Sequence, residues 1–191
     1  MHRFSYTAPM TYEYSANSLN VLTFAKSDGQ LESQVPLAQM LRLREETQGA
    51  ADAVPVHFYA QGAIRSDAAG VDEPWLHLSG RAVLTMTCQR CLTPVDVDIA
   101  FTRDFRFVAT EALAEIEDEE SEEDVLVLSR EFNLVDLVED ELLMSVPPVP
   151  KHEMCPQAVK LEAVDADFEQ IAEEKPNPFA VLQKLKDKGL G

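Results

Sequence analysis

The longest regular pattern in the chain is a period-two alternation running from Val54 to Val108. Val54, Val56 and Phe58 alternate with Pro55, His57 and Tyr59, and Leu76, Leu78 and Gly80 continue the pattern. Val95, Val97, Ile99 and Phe101 keep strict step, and Phe105 and Phe107 resume it after a break at Thr102-Arg103-Asp104. Apolar groups on one side, with Asp96, Asp98, Thr102, Asp104 and Arg106 on the other, predict antiparallel strands wet on one face. Val125-Leu-Val-Leu128 predicts a further strand.

Helical spacing shows elsewhere. Pro36 followed by Leu37, Met40, Leu41 and Leu43 predicts a short helix over residues 35–46. Asn133 is a good N-cap for a second, with Leu134, Leu137, Val138, Leu142 and Val146 as its apolar stripe. Glu139, Asp140 and Glu141 fall on its outer side, and Pro147-Pro148 stops it. Asn177, Pro178 and Gly189 bracket a third, whose end is basic through Lys184, Lys186 and Lys188. Asn20-Val-Leu-Thr-Phe-Ala25 reads equally as a strand or a docking segment. The predicted class is α+β: an antiparallel β-sheet, open or barrel-like, with a few flanking helices. The expected organisation is a flexible arm over 1–20, one domain over 21–174, and a basic helix or tail over 175–191.

Charge changes this picture in one segment. The chain has 191 residues and a formal net charge of −18. Residues 1–110 carry 9 basic and 12 acidic groups, residues 111–174 carry 3 and 21, and the last 17 residues are net +3. Nine of the fourteen residues at 111–124 are acidic. Such density repels itself, so a solvated, mobile insertion is the expectation there, with binding of a basic partner as the sharper reading. The repulsive field is thus local, and the first half and the tail stay open to an anionic partner. Every basic residue between Lys26 and Lys151 is an arginine. Arginine suits bidentate phosphate contact and equally suits pairing with nearby carboxylates. Arg90, Arg103 and Arg106, with the three tail lysines, are the candidate partner contacts.

Candidate chemistry gathers at the hairpin between the two longest strands. Cys88-Gln-Arg-Cys91 and His152-Glu-Met-Cys155 hold all three cysteines, each motif pairing two potential ligands across two residues. Three thiolates and an imidazole make a closed tetrahedral zinc set, which is structural rather than catalytic. Such a set would tie two distant segments together. Inert thiols are the bland alternative, since Cys88 ends a strand-like run and reduced cysteine is often buried. A redox pair is disfavoured, because Pro94 and strand alternation follow the motif where thiolate activation needs a helix N-terminus.

Trp75 reads as a core or edge anchor, and His57 and His77 as strand-face residues. Gly-rich phosphate loops, a Gly-x-Ser-x-Gly elbow and His-Glu-x-x-His are all missing from the sequence, so catalysis is not expected. No apolar run approaches the length of a membrane span. The first residues lack an apolar signal region, and a reducing cytoplasm is the expected location.

Three blocks taken in order resemble a known family. Val83-Leu-Thr-Met-Thr-Cys-Gln-Arg-Cys-Leu-Thr-Pro-Val95, Leu134-Val-Asp-Leu-Val-Glu-Asp-Glu-Leu142 running into Pro147-Pro-Val-Pro-Lys-His152, and Lys175-Pro-Asn-Pro-Phe-Ala-Val-Leu-Gln-Lys-Leu185 are similar to the YceD family, the large ribosomal RNA subunit accumulation proteins. The resemblance spans about residue 76 to the C-terminus. It implies a cytoplasmic, non-catalytic factor for synthesis, processing or stability of large-subunit ribosomal RNA. Its partner would be a large-subunit precursor, through RNA, a basic ribosomal protein or both, with no membrane and no small-molecule substrate. An acidic adaptor or chaperone for a basic ribosomal protein, without RNA contact, is the alternative. Many relatives carry two cysteine pairs, which supports a structural zinc on Cys88, Cys91, His152 and Cys155.

Overall fold

The computed structural model describes residues 14–49, 51–66, 70–119, 121 and 123–157. Its centre is a five-stranded sheet in which neighbouring strands follow chain order. Helix α1 (Val21–Lys26) comes first, with the Asn20 side chain accepting from the Thr23 amide. Strand β1 (Gln30–Pro36) follows, then a 3-10 turn (Leu37–Gln39) and helix α2 (Leu41–Glu45). Three long antiparallel strands come next: β2 (Pro55–Ser66), β3 (Asp72–Thr87) and β4 (Pro94–Val108). Helix α3 (Glu111–Asp118) then carries the chain to β5 (Asp124–Val127), which pairs parallel to β4. Helix α4 (Leu134–Met144) closes the described fold, with the Asn133 side chain accepting from the Val135 amide.

The sheet has one dry face and one largely open face. Val56, Phe58 and Ala60 of β2, Leu76, Leu78, Ala82 and Leu84 of β3, and Ile99, Phe101 and Phe105 of β4 are buried together with Val21 and Phe24 of α1, Leu43 of α2 and Val138 and Leu142 of α4. Each fully buried side chain of this size contributes roughly 1.5–3 kcal/mol relative to exposure. Helix α1 fits because two glycines make room for it. A Cβ on Gly29 would stand 2.3 Å from the Phe24 ring, and one on Gly62 would stand 2.7 Å from that ring and 2.8 Å from the Ala25 nitrogen. Among the described residues the other face is covered only at the end near β5, where Val108, Ala114 and Val125 form a small cluster under α3.

Several sequence expectations change. The sheet is not closed into a barrel, because β1 and β5 are separate edges. Residues 30–36 form a strand that the pattern did not predict, since an edge strand such as Gln-Leu-Glu-Ser-Gln-Val-Pro buries little. The helix expected over 35–46 is divided at Met40 into the 3-10 turn and α2. β4 runs through Thr102-Arg103-Asp104 without a break, because Arg103 faces the dry side and pairs there with Glu141 at 2.9 Å. The acidic stretch at 111–124 is ordered in part as α3, whose first turn is capped by Thr110. Within the expected arm, Leu19 is buried and exchanges backbone hydrogen bonds with Phe132 at 2.8 and 2.9 Å. Tyr14 packs edge-on against Phe24.

Glu139 and Glu141, expected on the wet side of α4, are 5% and 4% exposed. Glu139 accepts from the Arg42 and Leu43 amides at 2.7 and 3.1 Å, and so caps the first turn of α2 from outside, while its second oxygen holds the Arg42 guanidinium. Burial pushes the Glu141 carboxyl up against the opposing pull of Arg103. Among the described residues no helix is long and apolar enough to cross a membrane. The helix expected at 178–188 lies outside the described residues.

Candidate metal centre

The β3–β4 hairpin ends in a knuckle. The Cys88 amide donates to the Thr93 carbonyl at 2.9 Å, and the Leu92 amide donates back to the Cys88 carbonyl at 2.8 Å, closing a turn around Gln89 and Arg90. Leu92 has φ 58°, in the left-handed region that glycine prefers, and its side chain is 74% exposed. The turn holds Cys88 under the sheet, fully buried, and brings Cys91 to the rim.

The segment after α4 is bound to this turn by backbone contacts. The Gln89 amide donates to the Pro150 carbonyl at 2.9 Å, and the Arg90 guanidinium donates to the carbonyls of His152 and Glu153. His152 Nε2 lies 3.0 Å from the Pro94 carbonyl oxygen. A carbonyl only accepts, so Nε2 carries the ring proton and Nδ1 faces the thiols, 3.4 Å from Cys91 Sγ. A hydrogen bond on the far ring nitrogen is the usual device for orienting a metal-binding histidine.

Ligand atoms of Cys88, Cys91, His152 and Cys155 all lie within 4.8 Å of one another, so the set could hold a metal ion. Burial pushes the Cys88 thiol up, but hydrogen bonds from the backbone of His152, Cys91 and Arg90 and from the Cys91 side chain outweigh it and lower the thiol to about 5. The same sulfurs, Cys88 first, push His152 up. Sulfur and imidazole donors with no carboxylate among them suit a borderline-soft cation rather than calcium or magnesium.

The other sequence candidates are placed apart from one another. Arg90 holds the 152–153 backbone, as above. Arg103 bridges Asp124 and Glu141, both at 2.9 Å. Arg106 is 7% exposed and pairs with Glu73 at 2.9 Å, with Glu117, and with Glu123 at 3.7 Å. Burial would lower Arg106, but Glu117 and Glu73 raise it. Lys184, Lys186 and Lys188 lie outside the described residues. Trp75 is half-buried with the Arg65 guanidinium 4.4 Å above its ring, and His77 pairs with Asp104 at 2.6 Å. The reach of Arg90 to the 152–153 backbone has no sequence signal, because nothing in the order of residues says which carbonyl an arginine will meet.

Fold and site together define a small α+β protein whose longest hairpin is tied at its tip by a Cys3His donor set. The chain belongs to the YceD family: the family described as large ribosomal RNA subunit accumulation protein YceD matches residues 76–186. A relative from Haemophilus influenzae with the same description is 43% identical over 60 residues, which is 30% of this chain and 34% of the relative. The aligned segment therefore spans about a third of that relative. No solved structure matches the chain.

Proposed function

We propose that the protein is a non-catalytic cytoplasmic factor for the accumulation of large-subunit ribosomal RNA, acting on a ribosomal precursor, with zinc at the Cys3His set as a structural clamp. The family match over residues 76–186 carries this reading. Two ligands about 2.3 Å from a tetrahedral zinc stand roughly 3.7 Å apart. Closing the observed set around an ion thus asks for shifts of at most about 1 Å in its widest pair. Zinc bound there takes the place of the thiol protons and adds its binding free energy to folding. With all four positions filled by side chains it has no open site for a substrate. Of the six contacts expected from the sequence, Arg90, Arg103 and Arg106 are engaged by their own chain, which leaves Lys184, Lys186 and Lys188 of that set.

Sedimentation of a cell lysate through a sucrose gradient tests the function. The protein should travel with immature large-subunit particles, and depletion should lower the ratio of large to small subunits. An unchanged ratio rejects the reading. The adaptor alternative has one specific observation in its favour: α3 exposes Leu113 and Ile116, 39% and 62% accessible, among its carboxylates. RNase treatment separates the two. Loss of association supports the precursor-RNA reading, and RNase-resistant binding to free basic ribosomal proteins supports the adaptor.

A further inference from the structure

The open face of the sheet carries two arginine–histidine groups, and among the described residues only one of them meets a carboxylate. At the first, β4 places Asp104 directly opposite His77. Asp104 accepts from His77 at 2.6 Å and from Arg65 at 3.0 Å, and Arg65 also covers Trp75. Hydrogen bonds from His77 and Arg65 overcome the effect of burial and hold the Asp104 carboxyl below its ordinary value. That group is complete.

Four residues back along β4, on the same face, the position corresponding to Asp104 is Ala100. The register sets His57 opposite Arg81 and Arg81 opposite Ala100. Arg81 is exposed, and neither it nor His57 makes an ion pair or side-chain hydrogen bond among the described residues. Of the eight described arginines, Arg81, Arg90 and Arg130 make no ion pair with a described acid, and Arg81 is the one of the three that stands opposite a histidine in the sheet. Arg42, Arg44, Arg65, Arg103 and Arg106 all pair with acids of their own chain.

The short Ala100 side chain leaves space around this row. One groove of about 360 Å³ runs past Tyr59, Ser79 and Thr102 to Glu32, and a second of about 370 Å³ runs past Pro55 and Val83 to Asp98. Each is at the lower end of the range that holds a small ligand. The Tyr59 hydroxyl donates to Gln61 at 3.2 Å, and Tyr59 lines the first groove. Glu32 lines the first groove and Asp98 the second, and Arg81 lines both. An arginine fork for a phosphate, hydroxyls beside it and an aromatic ring in the adjoining groove are the elements of single-strand recognition.

We propose that the Arg81–His57 row binds the phosphodiester backbone of single-stranded RNA, with a base lying against Tyr59. This rests on the reading that precursor RNA is a partner, and names the surface that meets it. Binding of a fluorescein-labelled ten-nucleotide oligouridylate to the full-length protein, followed by anisotropy over a range of salt, tests the surface. Arg81→Gln should weaken binding roughly ten-fold through loss of one charge-assisted contact. It should also flatten the slope of log affinity against log salt by about 0.7, the value for one single-strand phosphate. Ala100→Glu, which puts back the missing carboxylate, should weaken binding at least as much. Both positions are exposed, so melting temperatures should match wild type. No binding by the wild type overturns the proposal, as does an Arg81→Gln variant with unchanged affinity and salt slope. Loss of binding only when Lys184, Lys186 and Lys188 become Gln places the RNA on the tail and equally overturns it. A protein that fails these tests yet still sediments with precursor particles refutes this surface and leaves the proposed function standing.

Discussion

The two ends of the β3–β4 hairpin are fastened by different chemistry. At the tip, Cys88 and Cys91 meet His152 and Cys155, a set whose donors invite an ion from solution. At the base, Arg106 is enclosed by Glu73 and Glu117 beneath α3, and Ser121 accepts from its guanidinium at 2.9 Å. The base is satisfied by its own chain. Under the proposed zinc clamp, stability at the tip depends on metal supply, whereas at the base it depends on charges already in the sequence.

The largest effect should come from the tip. Protein purified without chelator should hold close to one equivalent of zinc, and Cys91→Ser should lose it with a fall in melting temperature on the order of 10 °C. Amide exchange near Phe105 should stay slow in that variant, because the base is fastened separately. A metal-free wild type of undiminished stability would remove the distinction between the two ends.

At the base, Arg106→Ala leaves Glu73 and Glu117 facing each other partly buried. It should cost about 3 kcal/mol in urea unfolding, the usual loss on breaking a buried ion pair. Chelator should not change that difference. Substituting Glu73→Gln and Glu117→Gln in the same chain should recover part of it.

Acid should loosen the exposed ion pairs near the base before it breaks the hairpin. The folded-state pKa of Asp104 is depressed, so its contribution is present above the unfolded carboxylate value of about 3.9 and is lost as pH falls through the lower folded value. Asp104→Asn should therefore cost at most about 1 kcal/mol near neutral pH, as expected for a solvent-screened pair. The gap to wild type should close as pH falls below about 4. A gap that widens in acid would reverse the assigned direction.

The smallest effect returns to the tip. Leu92→Gly relieves a left-handed residue and should stabilise by about 0.5 kcal/mol, the backbone gain being partly offset by a freer unfolded chain.

These differences track what could be read along the chain. Cysteine and histidine are scarce, and their spacing marked the tip. Arginine and glutamate are common, and nothing local told Arg106 at the base from an exposed partner contact. The dry face of β3 and β4 was legible because alternation is a local property, and α4 because Asn133 and Pro147 bracket a clear stripe. Strand β1 was not, since an edge needs few apolar groups. Glu139 and Glu141 were placed in solvent because their burial depends on Arg42 and Arg103, which lie far away in sequence. The density of acids at 111–124 hid α3, whose Glu117 is drawn in by Arg106.

Cys91 and His152 are 61 residues apart. During synthesis the first pair of donors therefore emerges long before the second, and chains fold largely as their segments appear. Until residue 155 has left the exit tunnel the hairpin carries two thiols of a donor set that is not yet complete. Emergence of residue 155 supplies the last of the four donors.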